Sequence, residues 1–342
     1  MNNQGGSVAG AAVRTEVADG WEVVVLGTDS ASVTLVPGKG GDILSFISRR
    51  LELDVLWKSP WGLRPPSDQV VAPGSNAAFM HRYPGGWQTL FPNGGDECDH
   101  AGVRHGFHGE AAMARWDWRP LEVGGGAAVE LTTRLETVPV SMRREVRLDD
   151  ATLTVTETAE NEGGEPLEVM WVQHPAFGAP FIGPGCTVSG AATTIVVDDA
   201  RDTLSGDLAV GARGSWPLVP GRHGEDVDLS RVPGEDQPCD RFAYLTGFSR
   251  GHMSIESPAV GLAVDLDWDA SVLPHAWYWL EAHGSTEAPW HGEAYVLAIE
   301  PASSFPGRGL HTVTETTGTQ IVLEPGQART VTVACTLRPL AA

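Results

Sequence analysis

The sequence predicts an all-β protein built as one large sandwich of antiparallel sheets. Short runs of alternating apolar and polar residues recur along the chain, and 41 glycines and 24 prolines separate them, a pattern typical of strands joined by turns. Helical periodicity never persists beyond about two turns. The 342 residues contain no internal repeat or low-complexity linker. We therefore expect a flexible tail over residues 1–20 and a single domain over residues 21–342.

Alternation places strands along most of the chain, and short turns join several of them into pairs. The predicted strands cover residues 21–26, 32–36, 41–47, 54–57, 141–148, 152–158, 320–323 and 330–334. The clearest hairpin joins 141–148 to 152–158 through Asp149 and Asp150, since polar and apolar residues alternate on both sides of this turn. A second hairpin is expected at the end of the chain, around Pro325 and Gly326.

The composition argues against several classes of partner. The chain carries 23 basic and 44 acidic side chains, a formal charge of −21, and such a surface repels phosphate backbones and anionic lipids. We therefore expect neither nucleic acid nor membrane as a partner. No apolar run is long enough to span a bilayer, and the start lacks the basic and apolar regions of a secretion signal, so a cytoplasmic location is expected. The four cysteines form no Cys-x-x-Cys pair and are expected to be buried thiols.

Two long segments, 60–118 and 200–240, lack strand alternation and are rich in Gly, Pro, Asp and His. Such segments in a compact domain are usually functional or disordered. The first contains His105, His108 and Glu110, which could ligate a metal ion or be loop residues held by hydrogen bonds. No further strong ligand follows at a customary spacing. An active site in which histidine transfers protons is therefore favoured.

A second candidate lies in segment 170–178, which has the character of a strand. Met170, Val172 and His174 would share one face, and Pro175 would end the ladder directly after the histidine. A histidine at a strand end, before a Gly/Pro-rich loop, lies where side chains project into a cleft. A single histidine on its own is more often structural.

The third candidate is Glu300, near the end of the predicted strand 295–301. Alternation divides this strand between a face with Tyr295, Leu297 and Ile299 and a face with Val296, Ala298 and Glu300. Small apolar neighbours would desolvate the Glu300 carboxylate and make it a stronger base. The alternative is an exposed glutamate at a strand end.

With these three segments the chain resembles the aldose 1-epimerase (galactose mutarotase-like) superfamily, in a branch with Gly-Gly-Trp-Gln…Phe-Pro-Asn and His-Gly-Glu motifs. Segment 34–45 is similar to the early strand pair of the family, and His108-Gly-Glu110 is similar to its first histidine segment. Segment 173–177 is similar to the second histidine segment, and segment 298–301 is similar to the one with the catalytic glutamate. These matches keep their order along the chain.

The resemblance implies a galactose mutarotase-like β-supersandwich and a cofactor-free reaction on a small carbohydrate. Glu300 would take the proton of the anomeric hydroxyl, and His174 would protonate the ring oxygen. The sugar would then open, rotate and close as the other anomer. His108 would hydrogen-bond the substrate, with His105 as the rival for that role. Each acid or base of this kind typically contributes about 10²–10⁴-fold.

The resemblance also implies residues that bind the sugar. Asp240 falls where the family holds sugar hydroxyls with an aspartate. Independently of the resemblance, the twelve tryptophans suggest stacking on a sugar ring, with Trp87, Trp277 and Trp279 nearest the site segments. The remaining substrate-binding candidates are Arg82, Gln88, Asn93, His105 and Glu110. The hexose-6-phosphate epimerases of the superfamily read His-Gly-Phe-Ala-Arg, whereas this chain reads His-Gly-Phe-His-Gly over 105–109. The missing arginine and the acidic charge favour an uncharged sugar.

Two functions of other classes remain as alternatives. One is a sugar-binding protein on the same fold that has no turnover. The other is a metal-dependent sugar isomerase or lyase that uses His105, His108 and Glu110. A glycoside hydrolase needs two carboxylates at a defined separation, and only one well-placed acid is found.

Overall fold

Two extended antiparallel sheets dominate the structure, a computed structural model that describes residues 11–68, 74–200, 206–234 and 236–341. The predicted all-β class and the sandwich of large antiparallel sheets are therefore confirmed. In the described residues the α-helices are α1 (Ser75–Arg82) and α2 (Gly309–Thr316). Neither of these helices has the length and apolar character needed to cross a bilayer.

The larger sheet has fourteen strands, and all strands are numbered here in chain order. Its strands lie in the order β1 (Ala12–Ala18), β2 (Trp21–Gly27), β3 (Ala31–Val36), β4 (Asp42–Ser48), β6 (Trp87–Leu90), β14 (Val172–Gly178), β24 (Tyr295–Ala302), β23 (His275–Ala282), β20 (Cys239–Thr246), β16 (Thr194–Val197), β17 (Arg213–Ser215), β18 (Leu218–Pro220) and β19 (Asp226–Asp228). The short strand β5 (Leu53–Asp54) pairs with β4 outside this row.

The second sheet has eight strands. They lie in the order β15 (Thr187–Gly190), β21 (Gly251–Ser257), β22 (Leu262–Trp268), β26 (Ala328–Pro339), β12 (Thr152–Asn161), β11 (Val140–Asp149), β10 (Ala127–Arg134) and β9 (Asp117–Leu121). Two further pairs are formed by β7 (Cys98–His100) with β8 (Val103–His105) and by β13 (Leu167–Val169) with β25 (Ile321–Leu323).

The clearest predicted hairpin is present, and the first two predicted strands, 21–26 and 32–36, also pair with each other. Strands β2 and β3 pair antiparallel, and β11 pairs with β12 along its whole length, up to Asp149 opposite Thr152. Alternate residues of β11 from Val140 to Leu148 are buried, because one face of an antiparallel pair packs on the core while the other faces water. The alternation in the sequence therefore predicted the pairing of β11 with β12 correctly.

The start of the chain differs from the prediction of a tail over residues 1–20. Residues 1–10 lie outside the described part, but β1 pairs with β2 from Ala12 to Ala18. Asp19 and Gly20 both have positive φ angles, of 48° and 82°, as a tight hairpin turn requires. Most of β1 is exposed. Hydrophobic alternation therefore gave no signal for this edge strand.

Two local expectations were wrong. The last predicted hairpin does not form, because β25 pairs with β13 while β26 pairs with β12 and β22. Strand β14 does not end at Pro175 but continues to Gly178. The recorded register with β24 joins Val172 to Ala302 and Ala176 to Ala298. Pro175 falls between these pairs, so its missing N–H interrupts the ladder to β24 locally without ending the strand.

The main core lies between the two large sheets and encloses one ion pair. Arg144 of β11 and Glu157 of β12 are almost completely buried, with 2.5 Å between Nε and Oε1. Glu157 also accepts hydrogen bonds from Trp171 and Gln173, at 2.8 and 2.7 Å. Buried charges are tolerated only when they are paired and hydrogen-bonded in this way. Because Gln173 belongs to β14, the network anchors that strand from its core side.

A second apolar cluster covers the opposite face of the large sheet. It includes Phe79 of α1 and Leu310 of α2, which pack over side chains of β14, β23 and β24. In β24, Tyr295, Leu297 and Ile299 point into the main core while Val296 and Ala298 belong to this second cluster. The predicted division of β24 between two faces is therefore confirmed. The candidate site lies in the second cluster.

Candidate active site

A cavity of about 270 Å³ opens on the outer face of the central strands. Its volume lies just below the range of about 300–1,000 Å³ that is usual for ligand pockets. Seven aromatic side chains line it, namely Phe79, Tyr83, Phe107, Phe242, Trp277, Trp279 and Trp290. The polar side chains that line it are His108, His174, Glu300, Asp96, Asp198 and Arg308.

Strand register brings the two main candidates together. Glu300 of β24 lies opposite Trp277 of β23, and His174 of β14 lies opposite Gln88 of β6. The pairs on either side, Val172 with Ala302 and Ala176 with Ala298, place His174 across from Glu300. Directly opposed residues on one face of an antiparallel pair have Cβ atoms about 4.5–5.5 Å apart. Two distant parts of the sequence thus meet in one row across the sheet.

His174 and Glu300 face each other inside the cavity. Nε2 of His174 lies 3.8 Å from Oε1 of Glu300, and the residues are only 5 % and 1 % exposed. Burial lowers the pKa of His174 to about 4, and the nearby ammonium of Lys39 acts in the same direction. The imidazole of His174 is therefore neutral at pH 7. A substrate with one oxygen near each group could lose a proton to one of them and receive a proton from the other.

His108 is held as a neutral hydrogen-bond donor. The backbone N–H of Gly95 donates to its Nδ1 at 3.1 Å, so the neutral ring carries its proton on Nε2. Burial holds the pKa of His108 well below its usual value, with smaller contributions from His174 and Lys39. The residue adopts a positive φ of 60°, a strained conformation for histidine. The loop thus fixes both the orientation and the tautomer of this ring.

The loop that holds His108 requires a glycine. Gly95 has a φ of 77°, and a Cβ atom there would lie 1.7 Å from the carbonyl oxygen of Gly307. Only glycine allows such a close approach of two backbones. Both glycines line the cavity, so this contact forms part of its wall.

The charges at one side of the cavity balance one another. Tyr244 donates a hydrogen bond to Asp198 and accepts one from the N–H of Gly307 at 2.8 Å. The guanidinium of Arg308 lies 3.9 Å from Asp198 and pairs with Asp199. The only arginine that lines the cavity in the described residues is therefore already paired with carboxylates, rather than presented as a fork for a phosphate.

Five of the residues singled out from the sequence line this cavity: Glu300, His174, His108, Trp277 and Trp279. The indole of Trp279 lies 6.0 Å from the ring of His174, measured between centroids. The other seven do not line it, and most have partners that explain them.

Three of the expected substrate-binding residues hold loops. Asn93 accepts a hydrogen bond from the N–H of Leu310 at 2.7 Å and donates to two carbonyls, so it ties the Gly95 loop to the start of α2. The carboxylate of Glu110 accepts hydrogen bonds from the backbone of residues 136 and 137. Arg82 donates to the carbonyls of Pro65 and Asp68. These three residues therefore stabilise loops of the fold and do not contact the cavity.

Trp87 and Gln88 are neighbours on β6 and face opposite sides of the sheet. Trp87 lies in the main core and donates to Gln173 at 2.9 Å, so it cannot stack on a sugar in this cavity. Gln88 points to the same side of the sheet as the cavity but does not line it. Its amide donates a hydrogen bond to Asp42 at 3.1 Å.

His105 and Asp240 are buried but do not line the cavity. Asp240 lies opposite Glu281, two residues from Phe242 on the same face of β20. The proposed metal site of His105, His108 and Glu110 is wrong, because the oxygens of Glu110 are turned to the backbone of residues 136 and 137. No group of three His, Cys, Asp or Glu side chains within the described ranges could hold a metal ion.

The sequence interpretation missed several residues of the cavity, above all Tyr83, Trp290, Asp198 and Arg308. Tyr83 directly precedes the Pro-Gly-Gly turn before β6, which is the one available signal for it. The other three come from loops without a pattern.

Sequence comparison finds no match, either to a family model or to a curated protein. Structural comparison does. The chain is similar to a protein proposed to be an aldose 1-epimerase from Klebsiella pneumoniae, with a TM-score of 0.70 and 13 % identity over 97 % of this chain and 88 % of that one. It is also similar to a galactose mutarotase-like protein from Clostridium acetobutylicum, with a TM-score of 0.65 and 13 % identity over 97 % and 99 %.

A galactose mutarotase-like protein from Lactobacillus casei gives a TM-score of 0.59 and 16 % identity, over 92 % of this chain and all of that one. At these identities the likeness concerns the fold. Together with the two sheets and the register described above, it shows that the chain has the galactose mutarotase-like sandwich fold.

Proposed function

We propose that the protein is an isomerase that interconverts the anomers of an unphosphorylated free sugar by acid/base ring opening. The observation that carries this proposal is the pair of His174 and Glu300, 3.8 Å apart in a buried, aromatic-lined cavity. The fold adds support, since the structures it resembles include a proposed aldose 1-epimerase and mutarotase-like proteins.

The proposed reaction moves two protons and leaves the protein unchanged. Glu300 takes the proton from the anomeric hydroxyl, the bond between C1 and the ring oxygen breaks, and C1 becomes an aldehyde. His174 delivers a proton to the ring oxygen. After rotation about the C1–C2 bond, the reverse transfers close the ring as the other anomer. A positioned acid and base each contribute typically about 10²–10⁴-fold.

The proton count of the pair decides its activity. Burial keeps His174 neutral at pH 7. It can act as the acid only in those molecules in which the pair of His174 and Glu300 holds one proton, carried by His174. The carboxylate of Glu300, with Oε1 3.8 Å from Nε2 of His174, favours a proton on the imidazole and so opposes the effect of burial.

The remaining side chains suit an uncharged sugar. His108 presents a neutral N–H to a substrate hydroxyl, and Trp277 and Trp279 offer apolar ring faces to the C–H side of a pyranose. Arg308 is balanced by Asp198 and Asp199, so a phosphate would meet carboxylates without a free cation among the described lining residues. The substrate class is thus an unphosphorylated monosaccharide.

Exchange NMR across a panel of reducing sugars and their 6-phosphates tests this proposal. The wild type should accelerate anomer exchange of at least one neutral sugar and leave its phosphate at the spontaneous rate. Glu315, an exposed glutamate of α2, provides a matched control for the variant Glu300→Gln. Glu315→Gln should retain the wild-type rate. Saturable sugar binding with no rate above the background would instead identify a binding protein and overturn the proposal.

A further inference from the structure

Tyr83 contributes a buried hydroxyl to the cavity that the proposed reaction has not yet used. The residue follows the last turn of α1 and is 2 % exposed, and its side chain lines the cavity. The hydroxyl has no hydrogen-bond partner among the described residues. A buried polar group without a partner lowers stability. Such a group at a cavity is therefore expected to bind whatever fills that cavity.

The ring of Tyr83 is fixed in place by its neighbours. It stacks on Phe79 with centroids 5.4 Å apart and packs against Trp57 at 5.9 Å. Its backbone carbonyl accepts a hydrogen bond from Trp61 Nε1 at 2.8 Å. The hydroxyl is therefore positioned before any ligand arrives, and holding it there costs no further ordering when a ligand binds.

The position of the ring relates it to the reacting pair. Its centroid lies 5.8 Å from that of His174, nearly edge to face. Burial raises the pKa of Tyr83 well above its ordinary value, and the carboxylates of Glu300 and Asp42 add to this effect. The phenol therefore keeps its proton near pH 7, so it can donate a hydrogen bond but cannot serve as a base.

We propose that Tyr83 is a third catalytic residue, whose hydroxyl donates a hydrogen bond to the anomeric oxygen of the sugar. This inference rests on the proposed ring-opening reaction. As Glu300 removes the proton of the anomeric hydroxyl, negative charge develops on that oxygen before it becomes the aldehyde oxygen. A fixed neutral donor in a water-excluded site stabilises such charge. When the ring closes, the same oxygen regains its proton and the hydrogen bond weakens again.

The variant Tyr83→Phe tests the proposal, because it removes only the hydroxyl and retains the ring packing. Loss of one such donor is expected to lower kcat by about 10²-fold or more, with a smaller change in KM. Since the hydroxyl has no hydrogen-bond partner among the described residues, the thermal midpoint should stay the same or rise. A hydroxyl with a purely structural role would instead lower the midpoint and leave kcat unchanged, which would overturn the proposal.

Tyr278 provides the matched control. Its hydroxyl is also buried without a partner among the described residues, but Tyr278 lies in the main core, away from the cavity. Tyr278→Phe should therefore keep the wild-type kcat and KM. An active wild type with an unaffected Tyr83→Phe variant, or an equal loss in both variants, overturns the role of Tyr83 alone. A wild type without exchange on any sugar overturns the proposed function and this inference with it.

Discussion

The backbone N–H of Gly95 donates to Nδ1 of His108 across 3.1 Å, and this single hydrogen bond determines what the histidine can do. It leaves the proton on Nε2, while burial keeps the ring uncharged. His108 is therefore a donor to substrate and not the general acid. This assignment separates its role from that of His174, although the two ring centroids lie only 5.9 Å apart.

Replacement of His108 by Phe should lower kcat/KM by about 10–100-fold, the effect of one or two lost hydrogen bonds. Because His108 stays neutral, the variant should keep the shape of the wild-type pH profile. Exchange rates of both proteins measured at several pH values check this prediction. A profile that loses one of its limbs would show that His108 itself takes part in proton transfer.

The rate should fall as the pH rises, because the pair of His174 and Glu300 must hold one proton. Burial lowers the pKa of His174 to about 4, so the pair gives up that proton more readily than an exposed histidine would. We expect kcat/KM, corrected for spontaneous mutarotation, to increase from about pH 8 to about pH 5. An increase in the opposite direction would contradict the shared proton.

The buried ion pair of Arg144 and Glu157 should dominate the response of stability to mutation in the core. Arg144→Met leaves the Glu157 carboxylate buried without its charge partner, which is expected to lower the free energy of unfolding by about 3–5 kcal/mol. Arg143 is next in the same strand, but it is exposed and pairs with Glu130 at 3.3 Å. Arg143→Met should change stability by less than about 1 kcal/mol. Urea denaturation of the two variants gives both values, and equal losses would contradict this assignment.

His275 should make the protein sensitive to acid. Burial lowers its pKa to about 4, below the value of about 6.5 for an unfolded chain. The unfolded state therefore binds the proton more readily between these values, so stability is complete above pH 6.5 and is lost as the pH falls towards 4, by up to about 3 kcal/mol. His275→Phe keeps the contact with Phe305 and should reduce this loss. Unfolding measured between pH 7 and 4.5 checks it, and an unchanged slope would exclude His275 as the cause.

The sequence predicted the fold and part of the site wherever one face of a strand was distinguishable from the other. In β24 the division into Tyr295, Leu297 and Ile299 against Val296 and Ala298 placed Glu300 correctly. In β6 every residue is buried, so nothing in the pattern showed that Trp87 faces the main core while Gln88 faces the opposite side of the sheet. Residues such as Asp198 and Arg308 reach the cavity from loops, and only the folded chain brings them there.

Packing between distant parts of the chain explains why no sign of Tyr83 as a cavity residue was visible in the sequence. A tyrosine before Pro-Gly-Gly reads as a turn residue, and its ring is held at the cavity by packing against Trp57, which is distant in the sequence. The same holds for Trp290, which reaches the cavity through contacts with Trp57 and Trp279. Such contacts arise from tertiary packing and carry no local signature.

The most direct test of the account is the anomer exchange rate of Glu300→Gln, measured by NMR on the neutral sugar that the wild type turns over best. Glutamine keeps the size of the side chain and cannot take the proton of the anomeric hydroxyl. Glu300→Gln should show exchange at the spontaneous rate only, with the fold and the sugar binding of the wild type retained. Exchange at the wild-type rate would contradict the assignment of Glu300 as the base and, with it, the proposed mechanism.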